Sequence, residues 1–254
     1  MKYIDSHVHL FVRAFREDFR DVLQRAQDAG VERMMIITTD AEEARRAMPF
    51  VEKDPYRFQL AYGIHPQRID EVDDAMVREF DEIAEDPRIT AIGEIGLDYI
   101  TDRDHKELQK EVFIHSIEKA VSLNKPILVH SRKAIQDTYS IMKAHPSRAL
   151  MHSFPGSLEM SREFIKLGYY ISYGGPATWL NVRHAREVVA DMDLNYLLTE
   201  TDAPYVTPEP FRGQRNEPCN LPYILRALAS YRGMTEEALA EIVLQNYRWF
   251  LGEE

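Results

Sequence analysis

Two histidines stand two residues apart in Tyr3-Ile4-Asp5-Ser6-His7-Val8-His9-Leu10. A strand alternates its side chains, so His7 and His9 project to one side of it. Neutral imidazoles side by side at a strand end can begin a divalent-metal site. Alone, the pair reads equally as two polar residues closing a short strand. Four further ligand types change the balance, because Glu94, His130, His152 and Asp202 each follow a short apolar run. Singly, each has an ordinary role: a hydrogen-bonded loop histidine, a carboxylate near a helix N-terminus, or an aspartate capping the turn before Pro204. Six such residues at one end of successive strands point to a common site.

Four imidazoles and two carboxylates exceed what one catalytic ion needs, which is typically three protein ligands and an open position. Two ions bridged by a carboxylate satisfy the set, and such a pair acidifies a shared water and clamps the attacking and leaving oxygens of a displacement. Strands one and eight are neighbours in a closed barrel. His7, His9 and Asp202 are therefore expected on one ion, His130 and His152 on the other, with Glu94 as the bridge. Nitrogen and oxygen ligation without thiolate suits Zn, Mn, Fe or Ni and tolerates Mg. Asp202 is placed both to ligate and to act as general base.

A phosphodiester also needs cations or donors on its non-bridging oxygens. Arg132, Arg212 and Arg215 are candidates, since guanidinium forks match phosphate, with solvated charge or salt bridging as the competing role. His65 either contacts phosphate or leaving group or packs beside Pro66. Asp98 is expected to orient a ligand histidine from behind, and Glu200 to do the same or to pair with a loop arginine. Tyr99, Tyr205, Phe154 and Trp179 are candidates for stacking on a base, with core packing the alternative for Phe154 and Trp179.

Positioning these residues requires strands that end together. After the first segment, apolar runs predict strands at residues 33–38, 58–63, 89–93, 127–129, 149–151, 169–172 and 196–199. The continuous Met34-Met35-Ile36-Ile37 is typical of buried parallel strands. Helices are predicted at residues 19–29, 41–53, 74–85, 104–123, 134–144, 158–167, 182–190, 222–232 and 236–250, with a loop at 13–16. In the fourth, Leu108, Val112, Phe113, Ile117 and Val121 should share a face. Eight strand–helix alternations in 254 residues match a (β/α)8 TIM barrel, whose active sites lie at the C-terminal ends of the strands. One domain over residues 1–254 is expected.

Lys and Arg number 31 against 42 Asp and Glu, a net charge of −11. That argues against a broad duplex-DNA footprint, which rests on many phosphate contacts, and leaves room for a small basic pocket on one strand end. The single cysteine, Cys219, rules out an intrachain disulfide and fits a reducing compartment. The start Met1-Lys2-Tyr3-Ile4-Asp5 lacks the apolar stretch of a secretory leader, and the other apolar runs are too short to span a bilayer. A cytoplasmic protein with no membrane association and no obligatory protein partner is the expectation.

The chain resembles the TatD family of metal-dependent hydrolases within the amidohydrolase superfamily. The resemblance rests on Asp5-Ser6-His7-Val8-His9-Leu10, Gly63-Ile64-His65-Pro66, Gly93-Glu94-Ile95-Gly96-Leu97-Asp98-Tyr99, residues 126–132, His152-Ser153-Phe154-Pro155-Gly156-Ser157 and residues 197–218. It spans essentially the whole chain. It implies a TIM barrel, two metal sites on the residues above, and deoxyribonuclease activity on phosphodiesters, with Asp202 returning its proton to the leaving group. Ser153 and Pro155 stand where the family more often has Cys and Ser, and Cys219-Asn220-Leu221 is less typical. Neither departure touches a ligand position. The function expected is a two-metal 3′-to-5′ exonuclease on single-stranded DNA or RNA ends. Rivals are an amide, ester or lactone hydrolase on the same site, favoured by an apolar pocket without converging arginines, and a metal-stabilised binding protein without turnover.

Overall fold

In the computed structural model, which describes residues 1–253, the apolar runs form eight strands. They are β1 (Tyr3–Val8), β2 (Val31–Thr38), β3 (Phe58–Tyr62), β4 (Ala91–Asp98), β5 (Ile127–Arg132), β6 (Ala149–Met151), β7 (Tyr170–Tyr173) and β8 (Leu197–Thr199). Helices α1 (Phe19–Asp28), α2 (Ala41–Val51), α3 (Asp74–Ala84), α4 (Lys106–Ser122), α5 (Ile135–Ala144), α6 (Leu158–Lys166) and α7 (His184–Asp191) follow strands one to seven in turn. Beyond β8 come α8 (Leu221–Arg232) and α9 (Glu236–Leu251). The strands lie in sequence order, and every neighbouring pair from β1 to β8 is parallel. This is the expected (β/α)8 barrel. Its strands are buried nearly throughout because one face meets the barrel interior and the other the helix ring.

The ring is closed between β8 and β1 by side chains as much as by backbone. Thr199 Oγ1 donates to the Ile4 carbonyl at 2.8 Å. The buried Asp5 carboxylate accepts from Thr201 N at 2.9 Å and Thr201 Oγ1 at 2.6 Å. Just above, Asp202 N donates to the His7 carbonyl and His9 N to the Ala203 carbonyl, both at 2.9 Å. The seam that completes the barrel thus fixes three candidate ligands relative to one another.

Two strands run further than their apolar cores. β4 continues through Glu94 to Asp98, and β5 through His130 to Arg132, so Glu94 sits inside its strand and not at a tip. The register between β4 and β5 shifts between Ile92 and Ile95, around Glu94, and then resumes with Ile95 opposite Val129 and Gly96 opposite His130. Gly96 has φ +135°, and a Cβ there would lie 2.1 Å from the His130 carbonyl oxygen. Only glycine lets the two ligand-bearing strands approach so closely. In α4 the buried apolar residues are Val112, Phe113, Ile117 and Ala120, with Gln109 and Ser116 buried beside them, whereas Val121 is turned outward, because the 3.6-residue repeat carries it past the edge of the buried stripe. Arg13–Phe15 forms a 3-10 turn where a loop was expected, and residues 66–71, to which no element was assigned, form 3-10 turns as well.

Candidate metal centre

β1 presents His7 and, one residue past its end, His9; their Nε2 atoms approach to 3.3 Å. β4 supplies Glu94, and β5 supplies His130. His152 follows β6 directly, and Asp202 lies three residues beyond β8. Asp202 has φ +56°, a left-handed conformation that aspartate tolerates better than most residues. Its amide bond to His7 and a turn bond from Tyr205 N to its carbonyl hold it there.

The six side chains converge, and Glu94 is their centre. Its Oε2 lies 3.2 Å from His7 Nε2 and 3.7 Å from His9 Nε2. Its Oε1 lies 2.8 Å from His130 Nδ1 and 3.7 Å from His152 Nε2. Asp202 faces the first half, with Oδ1 3.3 Å from His9 Nε2 and 3.8 Å from His7 Nε2, while its Oδ2 is 4.0 Å from His152 Nε2. His152 is stacked on His7 with ring centres 3.6 Å apart and so stands between the halves. His65 joins the second half, its Nε2 3.4 Å from Glu94 Oε1. Three ligand sets result: His7, His9 and Asp202; His7, Glu94 and His152; and His65, Glu94 and His130.

The donor chemistry fits divalent metal. Imidazole nitrogens and carboxylate oxygens face one another at contact distance, without thiolate and without a lysine or arginine among them, a set suited to borderline or hard ions. Burial works to raise the Glu94 carboxyl, but the adjoining His65, His7 and His152 hold it well below the usual carboxylate range. Burial likewise opposes the charge of His130 and His152. Hydrogen bonds to Asp98 and Glu94 outweigh it and push His130 up to about 9. The charges of Glu200 and Glu94 push His152 up to about 10. His7, buried beside His152, is shifted down.

Behind the ligands stand two carboxylates. Glu200, fully buried, accepts from His152 Nδ1 at 3.0 Å, from Ser153 N at 2.9 Å and from Ser172 Oγ. This leaves His152 Nε2 facing Glu94 and Asp202. Glu200 thus contacts the candidate ligand His152 and, among the described residues, no loop arginine. Asp98 Oδ2 lies 3.3 Å from His130 Nε2 and accepts from Gln67 Nε2 at 2.9 Å. Gln67, Ser172 and the Asp5–Thr201 pair were not foreseen as supports. The only cue was that Gln67 and Asp5 adjoin the His65-Pro66 and His7 motifs.

A cleft of about 700 Å³ opens on the centre, lined among others by His9, His65, Glu94, His130, His152 and Asp202. Arg132 lines it too, as expected, with Arg68 as a second cation. Arg215 does not converge on it. Its guanidinium is held by Asp18 at 2.6 and 2.9 Å, by Glu217 at 2.7 Å and by the Ala14 carbonyl at 2.7 Å. Two nearby carboxylates are stronger partners than open solvent at the mouth. Arg212 lies over the Trp179 ring, 4.2 Å from its centre. Of the four aromatics, Trp179 and Tyr205 line the cleft. Phe154 is buried, and Tyr99 donates to Asp137 at 2.6 Å.

The sequence profile of a family described as TatD related DNase matches residues 4–252. The chain is 37% identical over 245 residues to YabD of Bacillus subtilis, an uncharacterized metal-dependent hydrolase, covering 95% of this chain and 96% of that one. It is 35% identical to TatD of Mycobacterium tuberculosis, also an uncharacterized metal-dependent hydrolase, with 96% of each chain covered. The crystal structure of YjjV, a TatD homologue from Escherichia coli K12, superposes with a TM-score of 0.91 at 30% identity over 98% of this chain and 97% of that one.

Proposed function

Because the chain belongs to the TatD family of metal-dependent hydrolases, we propose that it hydrolyses phosphodiesters, removing nucleotides from the 3′ ends of single-stranded DNA or RNA. The observation that supports the substrate class is Arg132 in the cleft, its side chain more than half exposed and held only by a long 4.0 Å ion pair to Asp98, which leaves its other donors available to a phosphate. His65 adds a donor on the same side. The description of the matched family as DNase points the same way.

His7, His9 and Asp202 would hold one divalent ion, His130 with His65 or His152 a second, and Glu94 would bridge them with one oxygen toward each half. Ions held there supply Lewis acidity toward a phosphoryl oxygen and acidify an attacking water. Asp202 is the more open of the two carboxylates in the centre, 16% exposed against 3% for Glu94. It takes the proton of the attacking water on a carboxylate oxygen and returns it to the leaving 3′ oxygen. Glu94 stays charged throughout, since three imidazoles hold its proton affinity down. Arg132 neutralises the non-bridging oxygens as charge builds on them.

The test is direct. Chelator-stripped protein is reloaded with Mg, Mn or Zn and given a 5′-labelled single-stranded oligonucleotide, with Asp202→Asn in parallel. A metal-dependent ladder shortening from the 3′ end, absent in the variant, is the expected result. An intact oligonucleotide under every metal, with hydrolysis of an ester or amide panel instead, would replace this reading with a carbonyl hydrolase.

A further inference from the structure

The walls of the cleft differ in kind according to the strands that supply them. The segment after β3 and the end of β5, on one side of the barrel, contribute His65, Gln67, Arg68, Ser131 and Arg132, all polar. Apart from Asp202 in the centre itself, the segments after β7 and β8, across the ring, contribute Pro176, Trp179, Tyr205 and Val206, with an aromatic or aliphatic surface. A nucleotide has the same division, a charged phosphate and a flat base.

From this division we infer that Trp179 is a base-stacking subsite, receiving an unpaired nucleobase next to the scissile phosphate and setting a preference for intact over base-less ends. The inference rests on the phosphodiesterase reading above and adds the residue that recognises the base.

The indole is fixed before any ligand arrives. Its Nε1 donates to the Thr207 carbonyl at 3.0 Å, which ties the loop after β7 to the loop after β8. The neighbouring Thr178 Oγ1 accepts from Glu209 N at 2.8 Å, and Ala177 O accepts from Tyr231 at 2.6 Å. A Cβ on Gly175 would lie 1.8 Å from the Val206 carbonyl oxygen, so the two loops are in close contact there. A ring held in this way loses little freedom when a base stacks on it. The Arg212 guanidinium lies over the ring, and among the described residues no carboxylate pairs with it. It therefore brings positive charge to the apolar wall of an acidic protein, where a nucleotide end must approach. Stacking on tryptophan backed by arginine is a recurring way to hold single strands without reading their sequence.

The test uses the metal-loaded protein and two short oligonucleotides of equal length and phosphate count, one normal and one abasic at its two 3′-terminal residues. The wild type should cleave the normal end roughly 5- to 150-fold more efficiently in kcat/KM, the range set by base–aromatic stacking. Trp179→Ala should lose that ratio, its kcat/KM on the normal end falling toward that on the abasic end, and Trp179→Phe should keep most of it. The chain has two tryptophans. In Trp249→Phe, with the exposed α9 tryptophan removed, the remaining fluorescence should be quenched by the normal oligonucleotide and not by the abasic one. An unchanged ratio in Trp179→Ala overturns the inference and leaves the nuclease reading standing. An equal loss on both substrates also overturns it, making Trp179 structural. Cleavage of neither oligonucleotide by the wild type removes both the reading and the inference.

Discussion

Replacing Glu200 by Gln separates a residue that fills space from one that sets the state of a ligand. The wild-type carboxylate accepts from His152 Nδ1 at 3.0 Å, from Ser153 N at 2.9 Å and from Ser172 Oγ, all out of contact with solvent. An amide has one acceptor oxygen and a donating NH2. With the oxygen kept on Ser153 N, the NH2 faces His152 and Ser172. The serine hydroxyl can rotate to accept; the imidazole can accept only by moving its proton from Nδ1 to Nε2. Nε2 is the atom that faces Glu94 and Asp202, and a protonated nitrogen ligates nothing. Loss of one buried charge-assisted bond costs roughly 1.5–3 kcal/mol. At 2–4 °C per kcal/mol for a chain of this size, the metal-free protein should melt roughly 3–12 °C lower. Divalent-metal affinity should fall roughly 10- to 100-fold, as for other residues that orient metal ligands. Calorimetric titration with Mn or Zn at fixed pH reads the second effect, and a melting curve under chelator reads the first. Wild-type metal affinity together with the lower melting temperature would refute the reasoning, since Glu200 would then stabilise the fold without setting the His152 tautomer.

Three other perturbations address different parts of the structure. Thr201→Val removes the 2.6 Å bond to Asp5 Oδ2 at the barrel seam and should cost roughly 1–3 kcal/mol in urea unfolding; a change below about 0.5 kcal/mol would mean the backbone contacts alone close the ring. Arg132→Ala, at a half-exposed side chain, should leave stability within about 0.5 kcal/mol and raise KM for an oligonucleotide by roughly tenfold or more, whereas an unchanged KM would remove it from the phosphate site. Arg215→Ala should leave cleavage unchanged but alter the acid limb of stability. A hydrogen bond from Arg215, with a further one from Arg25, holds Asp18 down to about 2, below its unfolded value of about 3.9. Its contribution is thus full above pH 4 and lost as the pH falls toward 2. The variant's melting temperature should fall less steeply than the wild type's across that interval, and parallel curves would show that the pair contributes nothing.

The strand ends were legible because buried parallel strands are short apolar runs, and a polar residue directly after one is conspicuous. His130 and His152 stand out in this way. Glu94 was expected at a strand tip and lies inside its strand. Its strand does not stop at Gly93 but resumes pairing at Ile95, and nothing local distinguishes a strand that ends from one that breaks register and goes on. Arg215 shows a different limit. Its loop position was evident, but its partner Asp18 is 197 residues away, and no spacing rule connects them. The Asp5–Thr201 lock spans 196 residues and was invisible for the same reason. Trp179 was ambiguous between core and cleft because an aromatic after a strand suits both. The Thr207 bond and the Arg212 contact, which give it a fixed place at the mouth, are products of the fold.

In the proposed centre Glu94 is one carboxylate shared by two divalent ions. Elemental analysis of stripped protein, reloaded with Mn or Zn and freed of excess ion, tests this most directly. Two equivalents per chain in the wild type, falling to one or none in a folded Glu94→Gln, is the predicted result. One equivalent in the wild type, unchanged in Glu94→Gln, would contradict the bridged pair and with it the proposed division of labour among the six ligands.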